Sequence, residues 1–308
     1  MKNIKVKFVD MGKYFNLDYD PIFLILKKHY NVILSEEPDY LFYSCRGTEH
    51  LKYENCVRIF SSIENVLPNF NVCDYGSGFD YLDFGDRYFR MTYMVPPIEF
   101  QERSKIPACL AKRKFCNFIY SNSNRGEGSL LRQEFCKKLM KYKKVDCPGL
   151  VLNNMKIPNF DSKSPNWTIE KLRFINQYKF TIAFENSKSN GYTTEKLYHP
   201  FMAYSLPIYW GNALVDNDFN SKAFINADKF DDFDALIDQI IKLDNDDEKY
   251  LSMLREKPLA DTFDFERYKK FEQWICYIID KGNTPYNKDP LLYDETCFLT
   301  NKNHKNNS

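Results

Sequence analysis

Two rhythms of apolar and polar positions alternate along this chain. Residues 4–9 place an apolar side chain at every second position, the period of a half-buried strand. Residues 21–30 then change period: Ile22, Ile25, Leu26 and His29 recur at helical spacing, with Asp20 placed to cap the first turn. Short apolar runs at 31–34, 40–43 and 57–60 read as further strands. Strands alternating with helices predict a parallel sheet of Rossmann type. Residues 103–114 break the pattern, being basic, containing Pro107 and lacking a clear period, and they read as an inter-domain connection.

The rhythm restarts beyond it. A strand is predicted over 115–120, ended by the turn cluster Ser121-Asn122-Ser123-Asn124. A helix is predicted over 130–142, with Leu131, Phe135 and Leu139 on one face, and a short one over 172–178. The run Phe180-Thr-Ile-Ala-Phe184 reads as a buried strand, followed by a helix over 194–204 and strands over 206–210 and 223–226. Helices over 235–243, 247–255 and 265–279 complete the pattern, and the polar tail after Lys281 reads as disordered. The domains expected from this are 1–112, including the connection, 113–262, and a C-terminal helix and tail over 263–308.

Composition narrows the function. The 308 residues suit two domains at roughly 100–200 residues each. With 43 Lys and Arg against 42 Asp and Glu, the net charge of +1 gives no field that would draw nucleic acid. Nine cysteines form no Cys-x-x-Cys pair and have no histidines at ligand spacing, which argues against a disulfide framework or a zinc site and fits a reducing compartment. No stretch approaches the ~18 apolar residues of a membrane span, and no secretory leader is visible, so a cytoplasmic location is expected. The Asn166-Trp167-Thr168 sequon carries no meaning there. Neither the G-x-G-x-x-G dinucleotide fingerprint nor a P-loop is present.

Chemistry concentrates between residues 184 and 211, FENSKSNGYTTEKLYHPFMAYSLPIYWG. A buried strand runs into a polar loop, and a helix starts near Thr193 or Thr194. In a doubly wound sheet ligands bind at the carboxyl ends of strands, and a helix N-terminus there attracts anions. Lys196 falls in the first helical turn, where the helix dipole disfavours a cation, and that conflict points to an anionic ligand. Glu195 suits the dipole and could be a plain surface residue, so spacing points to function less for it than for Lys196. Asp216-Asn-Asp218 and Asp244-Asn-Asp246 read as solvated loop acids rather than metal ligands. His199, inside the helix, reads as structural, and Phe184, Tyr209 and Trp210 as packing.

The 184–211 run resembles the hallmark of the α1,3/α1,4-fucosyltransferases, glycosyltransferase family 10: F-E-N, then G-Y-x-T-E-K, a helix, and P-I-Y-W-G. The downstream Asp218-Phe-Asn and Ala223-Phe-Ile keep the same spacing. Phe118-Ile-Tyr-Ser-Asn with Arg132-Gln-Glu-Phe, and Glu64-Asn, Pro68-Asn-Phe-Asn and Asp86-Arg-Tyr upstream, resemble other blocks of the family's bacterial branch. The resemblance covers about residues 57–259 and implies an α/β fold of GT-B type, two Rossmann-like domains facing a central cleft.

It also implies roles. Glu64 resembles the general base for the acceptor hydroxyl, and with Val66 and Leu67 beside it no second carboxylate stands in its run. Arg132 and Lys196 resemble the cations that hold a diphosphate, with Arg125, in a nearby glycine-containing loop, as a rival. Asn186, Tyr192 and Glu195 resemble donor-pocket residues. The implied partners are GDP-fucose and an oligosaccharide acceptor, with no cofactor and no essential metal. The implied reaction is an inverting transfer to an N-acetyllactosamine-type acceptor in α1,3 linkage. An α1,4 link, another lipopolysaccharide or glycan acceptor, and a catalytically silent nucleotide-sugar-binding protein are the alternatives. Peripheral attachment at the inner face of a membrane and the oligomeric state stay open.

Overall fold

The computed structural model describes residues 1–92, 103–124, 126–156 and 167–286. The Asn166 sequon, Arg125 and the tail from residue 287 lie outside them. The described residues form two compact units: residues 1–78, 82–91 and 266–286, and residues 79–81 with those described between 92 and 265.

The first unit is a six-stranded parallel sheet. Its elements are β1 (Asn3–Val9), α1 (Pro21–His29), β2 (Asn31–Leu34), β3 (Tyr40–Tyr43), β4 (Val57–Ser61), β5 (Tyr75–Gly78) and β6 (Tyr88–Arg90), with strand order β2-β1-β3-β4-β5-β6. Helix α1 begins where the pattern places it, because the Asp20 carboxylate accepts the Phe23 N–H at 2.9 Å. It buries Ile22, Phe23, Ile25 and Leu26, whereas His29 is exposed and pairs with Glu272. β3 is buried along its whole length, as a central strand covered on both faces requires.

The second unit is a five-stranded parallel sheet. Its elements are β7 (Lys114–Asn117), α2 (Glu127–Leu139), β8 (Val145–Asp146), α3 (Trp167–Ile175), β9 (Tyr178–Phe184), α4 (Glu195–Met202), β10 (Leu206–Trp210), β11 (Ile225–Asn226), α5 (Phe233–Asp244) and α6 (Asp247–Leu254), with strand order β11-β10-β9-β7-β8. Strand β9 is buried at every residue, and its period of two divides it between two cores. Phe180, Ile182 and Phe184 pack with Phe135, Leu139, Leu236 and Ile240. Ala183 joins Leu197, Tyr198, Phe201 and Tyr209 on the other face. Helices α2 and α5 therefore cover one face and α4 the opposite one.

Two expectations change. The stretch 103–114 is integrated into the second unit. Arg103 is buried and donates to the carbonyls of Leu254 at 3.1 Å and of Phe201, while Arg113 donates to those of Leu110, Asn176 and Tyr204. Its basic residues satisfy backbone carbonyls at helix and loop ends, which is why it shows no periodicity. The last helix, α7 (Arg267–Lys281), belongs to the first unit instead of forming a separate end piece. It buries Phe271, Trp274, Ile275, Ile278 and Ile279, and Tyr40 Oη donates to the Ile279 carbonyl at 2.9 Å. Beyond it the Tyr286 N–H reaches Asp74 at 2.7 Å. Among the described residues no helix is long and apolar enough to cross a membrane, and the eight cysteines are free.

Candidate active site

In the second sheet, β7 leads through α2 to β8 on one side, and β9 leads through α4 to β10 on the other. The strand order thus reverses between β7 and β9, and a doubly wound sheet opens a crevice at the carboxyl ends of such a pair. Tyr120 stands beyond the end of β7, and Glu185 and Asn186 beyond the end of β9. Tyr120 is clamped there: its hydroxyl accepts the Phe184 N–H at 2.8 Å and lies 3.0 Å from the carbonyls of Ile182 and Phe184.

Arg132, from α2, lies on that ring with its guanidinium carbon 4.0 Å from the centroid. The residue is 1% exposed, so it is no helix-surface arginine. It donates to Asn186 Oδ1 at 2.9 Å, the Asn122 carbonyl at 2.7 Å and Ser129 Oγ at 3.3 Å. All three acceptors are neutral, and Arg132 Nε has no hydrogen-bond partner among the described residues. Burial lowers the guanidinium's proton affinity, with Tyr120 and Glu185 opposing. A buried cation without a carboxylate against it is costly unless an anion joins it.

Close packing of α2 on the end of β9 aims Arg132. A Cβ at Gly128 would lie 2.0 Å from the Glu185 carbonyl and 2.7 Å from the Trp210 ring. Gly126, at φ +75°, supplies the backbone that turns the chain into α2, and a Cβ there would lie 2.5 Å from the Asn186 carbonyl.

Helix α4 starts at the same crevice. Thr194 is its N-cap, accepting the Lys196 N–H at 3.4 Å. Beneath it lies Glu185, fully buried, which accepts the Thr194 N–H at 2.7 Å and the Thr194 hydroxyl at 2.8 Å. Lys196 Nζ stands 3.2 Å from Glu185 Oε2 and 3.3 Å from Glu195 Oε1. The conflict between Lys196 and the helix dipole is therefore relieved within the protein by two carboxylates, and Lys196 alone does not require a ligand.

These groups tune one another. Burial pushes the Glu185 carboxyl up, and Lys196 opposes it. Burial also pushes Glu195 up, but Lys196, Lys171 and His199 outweigh it and hold the carboxyl at about 2. Lys196 stays protonated well above the ordinary lysine range: burial lowers it, and Glu185 and Glu195 together prevail. His199 is driven down to about 3, first by burial and then by Lys171, and so is neutral, in keeping with a structural role.

Tyr192 is buried with its ring edge-on to Phe79, the centroids 5.1 Å apart. Its loop is fixed by Asn212, whose Oδ1 accepts the Gly191 N–H at 2.7 Å and whose Nδ2 donates to Thr193 Oγ1 at 3.1 Å. Glu185 and Asn212 were given no role by the sequence reading. The signal available was a Glu at the end of an apolar strand and an Asn directly after the P-I-Y-W-G run.

The crevice thus gathers Arg132, Asn186, Tyr192, Glu195 and Lys196. Glu64 lies in the first unit, two residues past Ser62, whose hydroxyl accepts the Glu64 N–H at 3.1 Å. Its carboxylate pairs with Arg46, and the flanking Ile63 and Leu67 are exposed. The reading of the two Asp-Asn-Asp runs as solvated acids holds for Asp216, which is exposed, and for the part-exposed Asp246, and is corrected for Asp218 and Asp244. Asp218 is buried, and the Asp244 side chain is 4% exposed because Lys179 and Lys143 pair with it. Asp246 caps α6. Among the described residues no group of three or more His, Cys, Asp or Glu side chains is placed to hold a metal.

A family model described as "Glycosyltransferase family 10 (fucosyltransferase) C-term" matches residues 109–289, and one described as "Alpha-(1,3)-fucosyltransferase FucT N-terminal domain" matches residues 6–95. The alpha-(1,3)-fucosyltransferase FucT of Helicobacter pylori is 31% identical over 320 residues, covering 88% of this chain and 64% of that protein. The chain therefore spans just under two thirds of that relative's length. A crystal structure of an alpha1,3-fucosyltransferase is similar at a TM-score of 0.75 and 29% identity, over 91% of this chain and 90% of that one. A crystal structure of alpha1,3-fucosyltransferase with GDP-fucose is similar at a TM-score of 0.69 and 28% identity, over 89% and 91%.

Proposed function

The chain belongs to glycosyltransferase family 10, and from that premise we propose that it transfers L-fucose from GDP-fucose to a GlcNAc or Glc hydroxyl of an N-acetyllactosamine-type acceptor in α1,3 linkage, giving a Lewis x-like product. The observation that carries the donor half is Arg132: a buried, carboxylate-free guanidinium at the crevice where β7 and β9 diverge, with Lys196 and the N-terminus of α4 beside it. A diphosphate supplies the missing negative charge there, and its charge grows as the sugar departs. The similarity to a fucosyltransferase structure with GDP-fucose supports the same donor.

The reaction is a single inverting displacement. Glu64 takes the proton of the acceptor hydroxyl as that oxygen bonds to fucose C1. The bond from C1 to the diphosphate oxygen breaks, its electron pair leaving with GDP through an oxocarbenium-like transition state. Arg132 and Lys196 hold the diphosphate. Asn186, which fixes Arg132, Tyr192 and Glu195 complete the donor pocket. The role of Glu64 rests on its motif position and on its place in a loop directly after a parallel strand. In this reading Arg132, Lys196 and the N-terminus of α4 stabilise the leaving diphosphate, and no metal is included. A reducing cytoplasm is the proposed compartment, on the sequence's nine scattered cysteines without a Cys-x-x-Cys pair.

The test is incubation with GDP-fucose and a panel of lactose, type 1 and type 2 acceptors, with the new linkage located by NMR. Fucose on O3 of GlcNAc or Glc is expected. Fucose on O4 would establish the α1,4 alternative, and GDP binding without transfer to any acceptor would establish a silent nucleotide-sugar-binding protein.

A further inference from the structure

A third positive charge stands in this crevice, contributed by an element outside the motif. Lys171 is half-buried on α3, and its ammonium lies 5.6 Å from the centre of the Trp167 ring. Its Nζ makes no ion pair or hydrogen bond among the described residues. Lys171 and Lys196 line one cavity of about 20 Å³ with Tyr120, Thr181 and Pro200. Tyr120, which lines that cavity, also carries Arg132 on its ring, so it links the two lysines to the third cation. Among the described residues, the carboxylates acting on both Lys171 and Lys196 are Glu185 and Glu195. Three positive against two negative charges leave a surplus, in a place where low polarity magnifies every charge.

We infer that Lys171 is a third cation of the donor site and binds the diphosphate of a nucleoside diphosphate sugar together with Lys196 and Arg132. This rests on the donor reading proposed above. An apolar or neutral residue would fill the same space against Trp167 without loading the cluster with a further charge. A lysine does so usefully only if an anion arrives, and its four-carbon stem lets the ammonium reorient toward one. The cavity is too small for a nucleotide, so Lys171 meets a diphosphate at the cavity's border while the nucleoside lies elsewhere. Burial lowers the Lys171 ammonium to about 8, with Lys196 pushing the same way and Glu195 and Glu185 opposing. Among the other groups that face it, Glu195 titrates at about 2, His199 at about 3 and Lys196 far above.

The test is calorimetry of GDP and of guanosine on the full chain, with Lys171→Met, which keeps the stem, and Lys171→Arg, which keeps the charge. Lys171→Met is expected to weaken GDP binding about 10- to 100-fold, the usual worth of one charge-assisted contact, and to leave guanosine binding unchanged. Lys171→Arg recovers most of the loss. Wild-type affinity for GDP falls between pH 7.5 and 9 as Lys171 loses its proton, and the Met variant is flatter over that window. Should Met at this position unfold the chain, Lys171→Gln is read in the same way. Wild type binding GDP, with Lys171→Met binding it equally well, overturns this inference alone. Wild type failing to bind GDP overturns the proposed function and this inference with it.

Discussion

Lys196→Met separates two jobs that one side chain performs. The substitution removes the cation against the fully buried carboxylate of Glu185. Breaking a buried pair from one side costs about 3–5 kcal/mol. The lower end applies here, because Thr194 still donates twice to Glu185 and Lys196 is itself 13% exposed. About 3 kcal/mol corresponds to roughly 6–12 °C in Tm for a unit of this size. Burial raises the Glu185 carboxyl, and without Lys196 that push is less opposed. A carboxyl raised above its unfolded value is stabilising below that value and loses this contribution as pH rises through the folded one. The deficit relative to wild type should therefore be larger at pH 7.5 than at pH 5. Adding Glu185→Gln removes the stranded charge and should restore most of the lost stability, since removing both members of a buried pair is nearly neutral. GDP affinity should stay about 10- to 100-fold weak in single and double variant alike, since the phosphate contact is still missing. Scanning calorimetry and GDP titration read the two effects. A Lys196→Met variant that melts with wild type at pH 7.5 would refute the buried pair. A double variant that regains GDP affinity would refute the phosphate contact.

Other outcomes follow from single contacts. Glu64→Gln should lower turnover about 10²–10⁴-fold, the usual worth of a general base, with GDP affinity unchanged; near-normal turnover rejects it as the base. EDTA should leave transfer intact, and a loss restored by Mn²⁺ would instead favour Asp216 and Asp218, or Asp244 and Asp246, as metal ligands. Gly128→Ala places a methyl 2.0 Å from the Glu185 carbonyl and should cost about 1–3 kcal/mol while weakening GDP binding. An unchanged melting temperature would show that α2 does not press on β9 as described.

Most strands that carry large apolar side chains were legible; β5 and β8 were missed, and so was β6, whose Tyr88-Phe89-Arg90 holds two aromatics but is too short to show a period. β1 alternates, β3 and β10 are continuous apolar runs, and each lies where its pattern puts it. β5 is Tyr-Gly-Ser-Gly and fully buried, yet only one of its residues looks like a core residue. Its glycine is a packing necessity, since a Cβ at Gly76 would lie 2.5 Å from Pro68. β8, with two residues, is below the length at which a period exists. Helix α2 was expected three residues late because Leu130 marked its apolar start, but Leu130 is exposed and the helix opens at Glu127 behind Gly126. The short helix expected to end at Tyr178 closes at Ile175, and Tyr178 opens β9 because its register against Lys114 extends the ladder.

The site shows the limit most clearly. Within the F-E-N to T-E-K run, Glu185 and Thr194 are nine residues apart, and a linear reading has no reason to pair them. The fold brings the carboxylate at the end of β9 against the N-cap of α4, and the intervening loop is held from a third place by Asn212. The spacing of the motif is thus the length of loop needed for Glu185 to reach Thr194, and Lys196 is placed as a consequence. A lysine at a helix start looked like the sign of an anion, but Glu185 and Glu195 already answer it. Arg132 is the stronger sign. From the sequence it could have been any helix-surface arginine. Burial on Tyr120, with hydrogen bonds to neutral acceptors among the described residues, makes it a charge suited to an anionic ligand.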